Sequence, residues 1–74
     1  MKKEYDRAIS ILTALIAENK TISIFYDLLG NAYYLKRDSE KALVQYKRSL
    51  ELAPGNTVTT RMVRKIEDQR GGAH

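Results

Sequence analysis

The sequence predicts an all-α fold of antiparallel helical hairpins, four helices in all, with the last acting as a cap. Three observations carry that prediction. Apolar residues recur at helical spacing in four segments, and short polar or Pro-Gly breaks separate the segments. The chain also resembles itself after 34 residues: Ala8 returns as Ala42, and Leu12 is matched by Tyr46.

The first helix is expected over residues 3–19. Tyr5, Ala8, Ile9, Leu12, Leu15 and Ile16 fall on one face of a 3.6-residue period. Ile11 lies off this stripe, so the apolar face is wider than a surface helix requires. Asn19-Lys20-Thr21 is the break. The second helix is expected from Ser23 to Lys36, with Ile24, Phe25, Leu28, Leu29, Ala32, Tyr33 and Leu35 making it apolar on more than one side. Gly30 stands in its middle, where glycine costs about 1 kcal/mol relative to alanine. That cost implies a packing reason, namely another helix approaching closely.

Arg37-Asp38-Ser39 is the next turn. Asp38 is the natural N-cap of the third helix, Ser39 to Leu52, because its carboxylate accepts free backbone N–H groups. Ala42, Leu43, Tyr46, Ser49 and Leu50 form that helix's stripe. Ala53-Pro54-Gly55-Asn56 ends it, since proline disfavours a helical residue before it and glycine reverses the chain. Asn56 or Thr57 then caps a fourth helix from Val58 to about Arg70. Val58, Met62, Val63 and Ile66 give it one apolar face, and Arg61, Arg64, Lys65, Glu67 and Asp68 a polar one. Residues 71–74 are expected to be a disordered tail.

Bulk composition bounds the function. A chain of 74 residues makes one small domain, and at this size only about 60% of the unfolded surface is buried. There is no cysteine, so no disulfide or thiolate metal site supports the core; this suits a reducing compartment. No apolar run approaches the roughly 18 residues of a membrane span. The start, Met-Lys-Lys-Glu-Tyr-Asp, does not read as a signal peptide, which favours the cytoplasm. The net charge of +4 is spread in pairs, from Lys2-Lys3 to Arg64-Lys65, and not gathered in a block. A nucleic-acid arm is therefore not expected, and the basic residues read as solvated helix faces.

Catalysis is not expected either. The single histidine is His74, at the end of the chain. No phosphate loop, Ser-x-x-Lys motif or metal-ligand spacing appears, so the sequence calls for no cofactor and no metal. The acidic residues lie beside basic ones and read as exposed ion pairs, each worth about 0–1 kcal/mol.

The most specific pattern is Tyr26-x2-Leu29-Gly30-x2-Tyr33, followed by Ala42-x3-Tyr46 and Pro54. Gly30 precedes Ala42 by 12 residues, and Ala42 precedes Pro54 by 12. These residues and offsets resemble one tetratricopeptide repeat, a helix–turn–helix unit of about 34 residues. The resemblance covers residues 3–70 and is closest over 26–54. It implies an α-solenoid fragment: residues 3–19 as the second helix of a partial repeat, 23–56 as a complete repeat, and 57–70 as a capping helix. Thr60, Val63 and Arg64 stand where a further repeat would carry its aromatic, leucine and glycine, in keeping with a cap. Within the repeat, Arg37 occupies a turn position often held by glycine, Ser49 one often held by alanine, and Lys20 one expected to be proline. A narrower resemblance joins Tyr26–Tyr33 and Tyr46–Leu52 to the helical tail of some bacterial serine β-lactamase-related hydrolases. It would make the chain an accessory piece of a periplasmic enzyme.

The family resemblance implies a protein–protein interaction scaffold, with a peptide or protein as partner. Tyr26, Tyr33 and Tyr46 match positions that pack between helices. The inner surface of the family's superhelix would place Asp27, Asn31, Tyr34 and Leu35 along a ligand groove. Asn31 matches an asparagine that some members use to hold a peptide carboxylate, whereas Asp27 stands where that clamp wants lysine. Arg61 and Lys65, one turn apart, would draw an acidic segment toward Asn31. A second expectation is self-association. The first helix lacks its usual partner, leaving Ile9, Ile11, Leu12, Leu15 and Ile16 as an apolar patch that a symmetric homodimer, formed by docking or by exchange of helices, would cover.

Overall fold

A computed structural model describes residues 2–71, in four helices: α1 (Lys2–Glu18), α2 (Ser23–Leu35), α3 (Ser39–Leu52) and α4 (Thr57–Gly71). Each helix packs antiparallel on the next, and α2 against α3 is the most extensive contact. The result is an all-α helical repeat, a slab of 39 × 30 × 14 Å. Helix boundaries fall within two residues of the sequence expectation. Gly71, expected in a disordered tail, instead closes α4. Residues 72–74 of that expected tail lie outside the described residues.

Side-chain chemistry sets each turn. Between α1 and α2, the Asn19 side-chain oxygen accepts from the backbone N–H and the hydroxyl of Thr21. Tyr26 then reaches back, its hydroxyl donating to the Lys20 carbonyl at 2.9 Å. This bond ties the turn where proline was expected to stiffen it. Asp38 caps α3 through Lys41 N–H at 3.2 Å. Asn56 caps α4 through Thr59 N–H, also at 3.2 Å, which decides between the two expected caps.

The α2–α3 turn contains the one backbone outlier among the described non-glycine residues. Arg37 adopts φ 69°, in the left-handed region. Its N–H donates to the Tyr34 carbonyl and the Asp38 N–H to the Tyr33 carbonyl, the two bonds of a Schellman cap. A left-handed conformation costs an L-residue about 1–2 kcal/mol, and glycine avoids it. Arg37→Gly should therefore raise stability by about 0.5–1 kcal/mol, once glycine's greater freedom in the unfolded chain is deducted. Chemical denaturation at unchanged m-value checks this; a lower midpoint would refute it.

The core centres on α3. Ala42, Leu43 and Tyr46 pack with Val63 and Ile66 of α4 as one buried cluster, and Tyr33, Tyr34, Leu50 and Met62 close over it. Gly30 explains the fit of α2 on α3. A Cβ at Gly30 would lie 2.7 Å from Tyr46 Cε1 and 2.8 Å from its Cδ1. The ring occupies the space of the missing side chain, which is the close approach that the sequence implied. Ser49 is fully buried, and its hydroxyl has no hydrogen-bond partner among the described residues.

Candidate functional site

A cleft of about 230 Å³ opens between α2 and α4. Its walls are apolar: Ile24 and Leu28 from α2, Val58 and Met62 from α4. These pairs are repeat equivalents, since Ile24 and Val58 are 34 residues apart, as are Leu28 and Met62. The two helices thus present the same face to the same space. Ile24 is 58% exposed, Leu28 46% and Val58 68%, which is a large apolar exposure for a domain of this size.

The cleft floor is polar and ordered by hydrogen bonds. Asp27 accepts from the Thr59 hydroxyl at 2.8 Å and from Asn56 Nδ2 at 3.2 Å. Asn56 therefore serves twice, capping α4 with its oxygen and tying α4 to α2 with its nitrogen. Thr59 is buried, so this bond satisfies a hydroxyl that would otherwise be costly to bury. Asp27 is committed to holding the helices together.

Asn31 is oriented by the core beneath it. Its Oδ1 accepts from the Tyr46 hydroxyl. Asn31 lines the cleft, and its amide nitrogen has two N–H donors in no hydrogen bond among the described residues, chemistry suited to a carbonyl or carboxylate. Burial pushes the Tyr46 hydroxyl up to about 12, and the nearby Asp27 carboxylate and Tyr34 add to the effect.

That shift has a stability consequence. Below pH 10, the ordinary tyrosine value, both folded and unfolded chains hold the Tyr46 proton. Between pH 10 and 12 the unfolded chain gives it up first, so stability falls as pH rises through this window. The loss attributable to Tyr46 is on the order of 2–3 kcal/mol by pH 12. Urea titrations from pH 9 to about 12 should show it, and Tyr46→Phe should flatten that component. An unchanged pH dependence in the Phe variant would count against the assignment.

The structure separates the expected groove residues. Asp27 and Asn31 line the cleft. Tyr34 does not stand open along it but packs half-buried against the core. Lys65 lies over the Tyr34 ring, with Nζ 5.8 Å from the centroid. Arg61 borders a separate shallow depression with Pro54, Gly55 and Arg64. Leu35 is exposed at the end of α2. The apolar walls were missed as site residues in the sequence, where Val58 and Met62 read as core contacts of a cap. The signal that finds them is the 34-residue equivalence with Ile24 and Leu28.

On α1, Ile9, Leu12 and Ile16 are half-buried, while Ile11 is 55% and Leu15 37% exposed. The expected self-association patch is thus divided. Three of its residues are partly covered within the chain, and two face outward. Among the described residues, no helix is long and apolar enough to cross a membrane.

The chain is thus a helical repeat with an apolar-walled cleft between two equivalent helices. Residues 23–56 match the family model of the tetratricopeptide repeat. That segment spans α2, α3 and the turns on either side of α3. No curated protein and no solved structure matches the chain. The tetratricopeptide resemblance is thereby supported, and the hydrolase-tail resemblance is not. Repeats of this family are in general protein–protein interaction modules.

Proposed function

We propose that this chain is a non-catalytic scaffold that binds a peptide segment of a partner protein in the cleft between α2 and α4. The observation that carries this reading is the double row of apolar side chains, exposed Ile24 and Leu28 facing exposed Val58 and half-buried Met62, over a hydrogen-bonded polar floor. An apolar surface with a few placed polar groups suits a ligand that is itself apolar and locally hydrogen-bonding. The Asn31 amide N–H groups would donate to a ligand carbonyl or carboxylate. Lys65 and Arg61, on the neighbouring surface of α4, would favour an acidic flank, in keeping with the net charge of +4. Asp27 limits the choice. Its charge disfavours a carboxylate placed beside it, so the acidic part of the ligand would lie toward α4.

Selection from a random peptide library on the intact chain tests this. Enriched peptides are expected to carry large apolar side chains next to Asp or Glu. Ile24→Glu and Val58→Glu alter exposed residues and should leave the fold intact by circular dichroism. Each should weaken binding of the selected peptides at least tenfold, about 1.4 kcal/mol. Replacing Asn31, Arg61 and Lys65 together should reduce it further. Retained affinity in the wall variants would rule out the cleft as the binding surface.

A further inference from the structure

The outward face of α1 has an internal reference in the same chain. By the 34-residue period, Ala8, Leu12 and Leu15 are the equivalents of Ala42, Tyr46 and Ser49. In α3 these positions are 0%, 1% and 0% exposed, because α2 and α4 pack over them. In α1, Ala8 and Leu12 are only half-buried, and Leu15 is 37% exposed. Ile11 extends this surface at 55% exposure. Arg7, Ile11, Leu15 and Glu18 follow one another at spacings of four, four and three residues, so they share one helix face. Among the described residues, neither Arg7 nor Glu18 enters an ion pair.

We propose that this face is the contact of a twofold-symmetric homodimer in which α1 packs antiparallel on α1 of a second copy. The charge order selects the arrangement. With the twofold axis near Thr13, Ile11 of each copy meets Leu15 of the other. Arg7 then falls within about one residue, about 1.5 Å along the axis, of Glu18 in the second copy. Both ends of the contact gain an opposite-charge pair. A parallel pairing would instead set Arg7 against Arg7 and Glu18 against Glu18. Ala8 and Ala14 are small and allow the helix axes to approach.

A second occupant can be weighed from the same repeat logic. Stacking α4 of another copy on α1 would mimic the α2–α3 contact. In α4, however, Arg64 replaces Gly30 and Glu67 replaces Tyr33 at the equivalent positions, and both are exposed. The glycine that lets α2 and α3 approach closely is therefore absent from α4, and the head-to-tail contact is disfavoured. The antiparallel α1 pair uses no residue of the cleft, so its fate is independent of the peptide-binding reading. A single helix pair falls in the small-interface class, below about 1,200 Å², which gives weak and reversible association.

Sedimentation equilibrium of the full chain, from about 1 µM to about 1 mM, tests the proposal. The expected result is a monomer–dimer equilibrium. Arg7→Glu and Glu18→Arg should each weaken it about tenfold, since each places two like-charge pairs in the contact. The double variant R7E/E18R should return to within about twofold of the parent. Ile11→Lys should abolish dimerisation while circular dichroism stays unchanged. A monomer at every concentration would overturn the proposal, as expected if another protein or chain segment is what covers α1. Association that ignores the substitutions, or single variants that the double does not rescue, would also overturn it.

Discussion

Tyr46→Ala is expected to leave the chain largely unfolded at room temperature. A domain of this length has roughly 4–11 kcal/mol of stability in all, and removing a buried aromatic ring costs about 3–5 kcal/mol. Tyr46 is 1% exposed and does three things. Its ring fills the space left by the missing side chain of Gly30. It joins α2 to the α3–α4 cluster. Its hydroxyl orients Asn31. Truncation would leave a cavity against a glycine, which has no side chain to collapse into it. Tyr46→Phe keeps the ring and loses only the hydrogen bond, about 1 kcal/mol. The contrast is measurable by thermal unfolding: the Phe variant should melt several degrees below the parent, and the Ala variant should show no cooperative transition. A cooperative Ala variant with a melting point near that of Phe would show that the ring's packing is not what holds α2 to α3.

Ile66→Ala should have the next largest effect and a different form. Ile66 is fully buried, and with Val63 it provides the buried apolar contact of α4 with the core. The rest of α4 is mostly polar, and among the helices it packs chiefly on α3. Loss of about 2–4 kcal/mol at this one point exceeds what the Asp27 bonds to Asn56 and Thr59 restore. We expect α4 to open locally while the α2–α3 hairpin persists. Amide exchange should show α4 losing protection well before α3. Peptide binding should fall with it, because Val58 and Met62 would leave the cleft. Uniform loss of protection across all helices would mean that α4 is an inseparable part of the cooperative unit.

Most of the architecture was legible in the sequence because its determinants are local. Helical period, Asp38 and Asn56 as caps, and the Pro54-Gly55 stop all act within a few residues. The cost of glycine inside a helix made Gly30 a contact point before any partner was known. The candidate site was less legible. Asp27 read as a groove residue, yet its carboxylate is engaged by two groups about thirty residues downstream, Asn56 and Thr59. Tyr34 read as exposed, yet it closes the core and supports Lys65. In each case the outcome depends on where α4 lies relative to α2, which no local pattern encodes.

Local pattern specifies the building block: four helices, their turns, the Gly30 contact and the 34-residue equivalence of α1 with α3. These follow from backbone propensity and from periodic burial, which are properties of neighbouring residues. Which apolar residues remain outside is set by the assembly of the helices. Ile24, Leu28 and Val58 look like core residues in the chain and become exposed cleft walls, while Met62 lines the cleft and packs on the core as well. Leu15 holds the position equivalent to buried Ser49, but is open because nothing in the described chain packs over α1 as α2 packs over α3. Exposure is a relation between elements, set by distances that arise only when the helices are assembled.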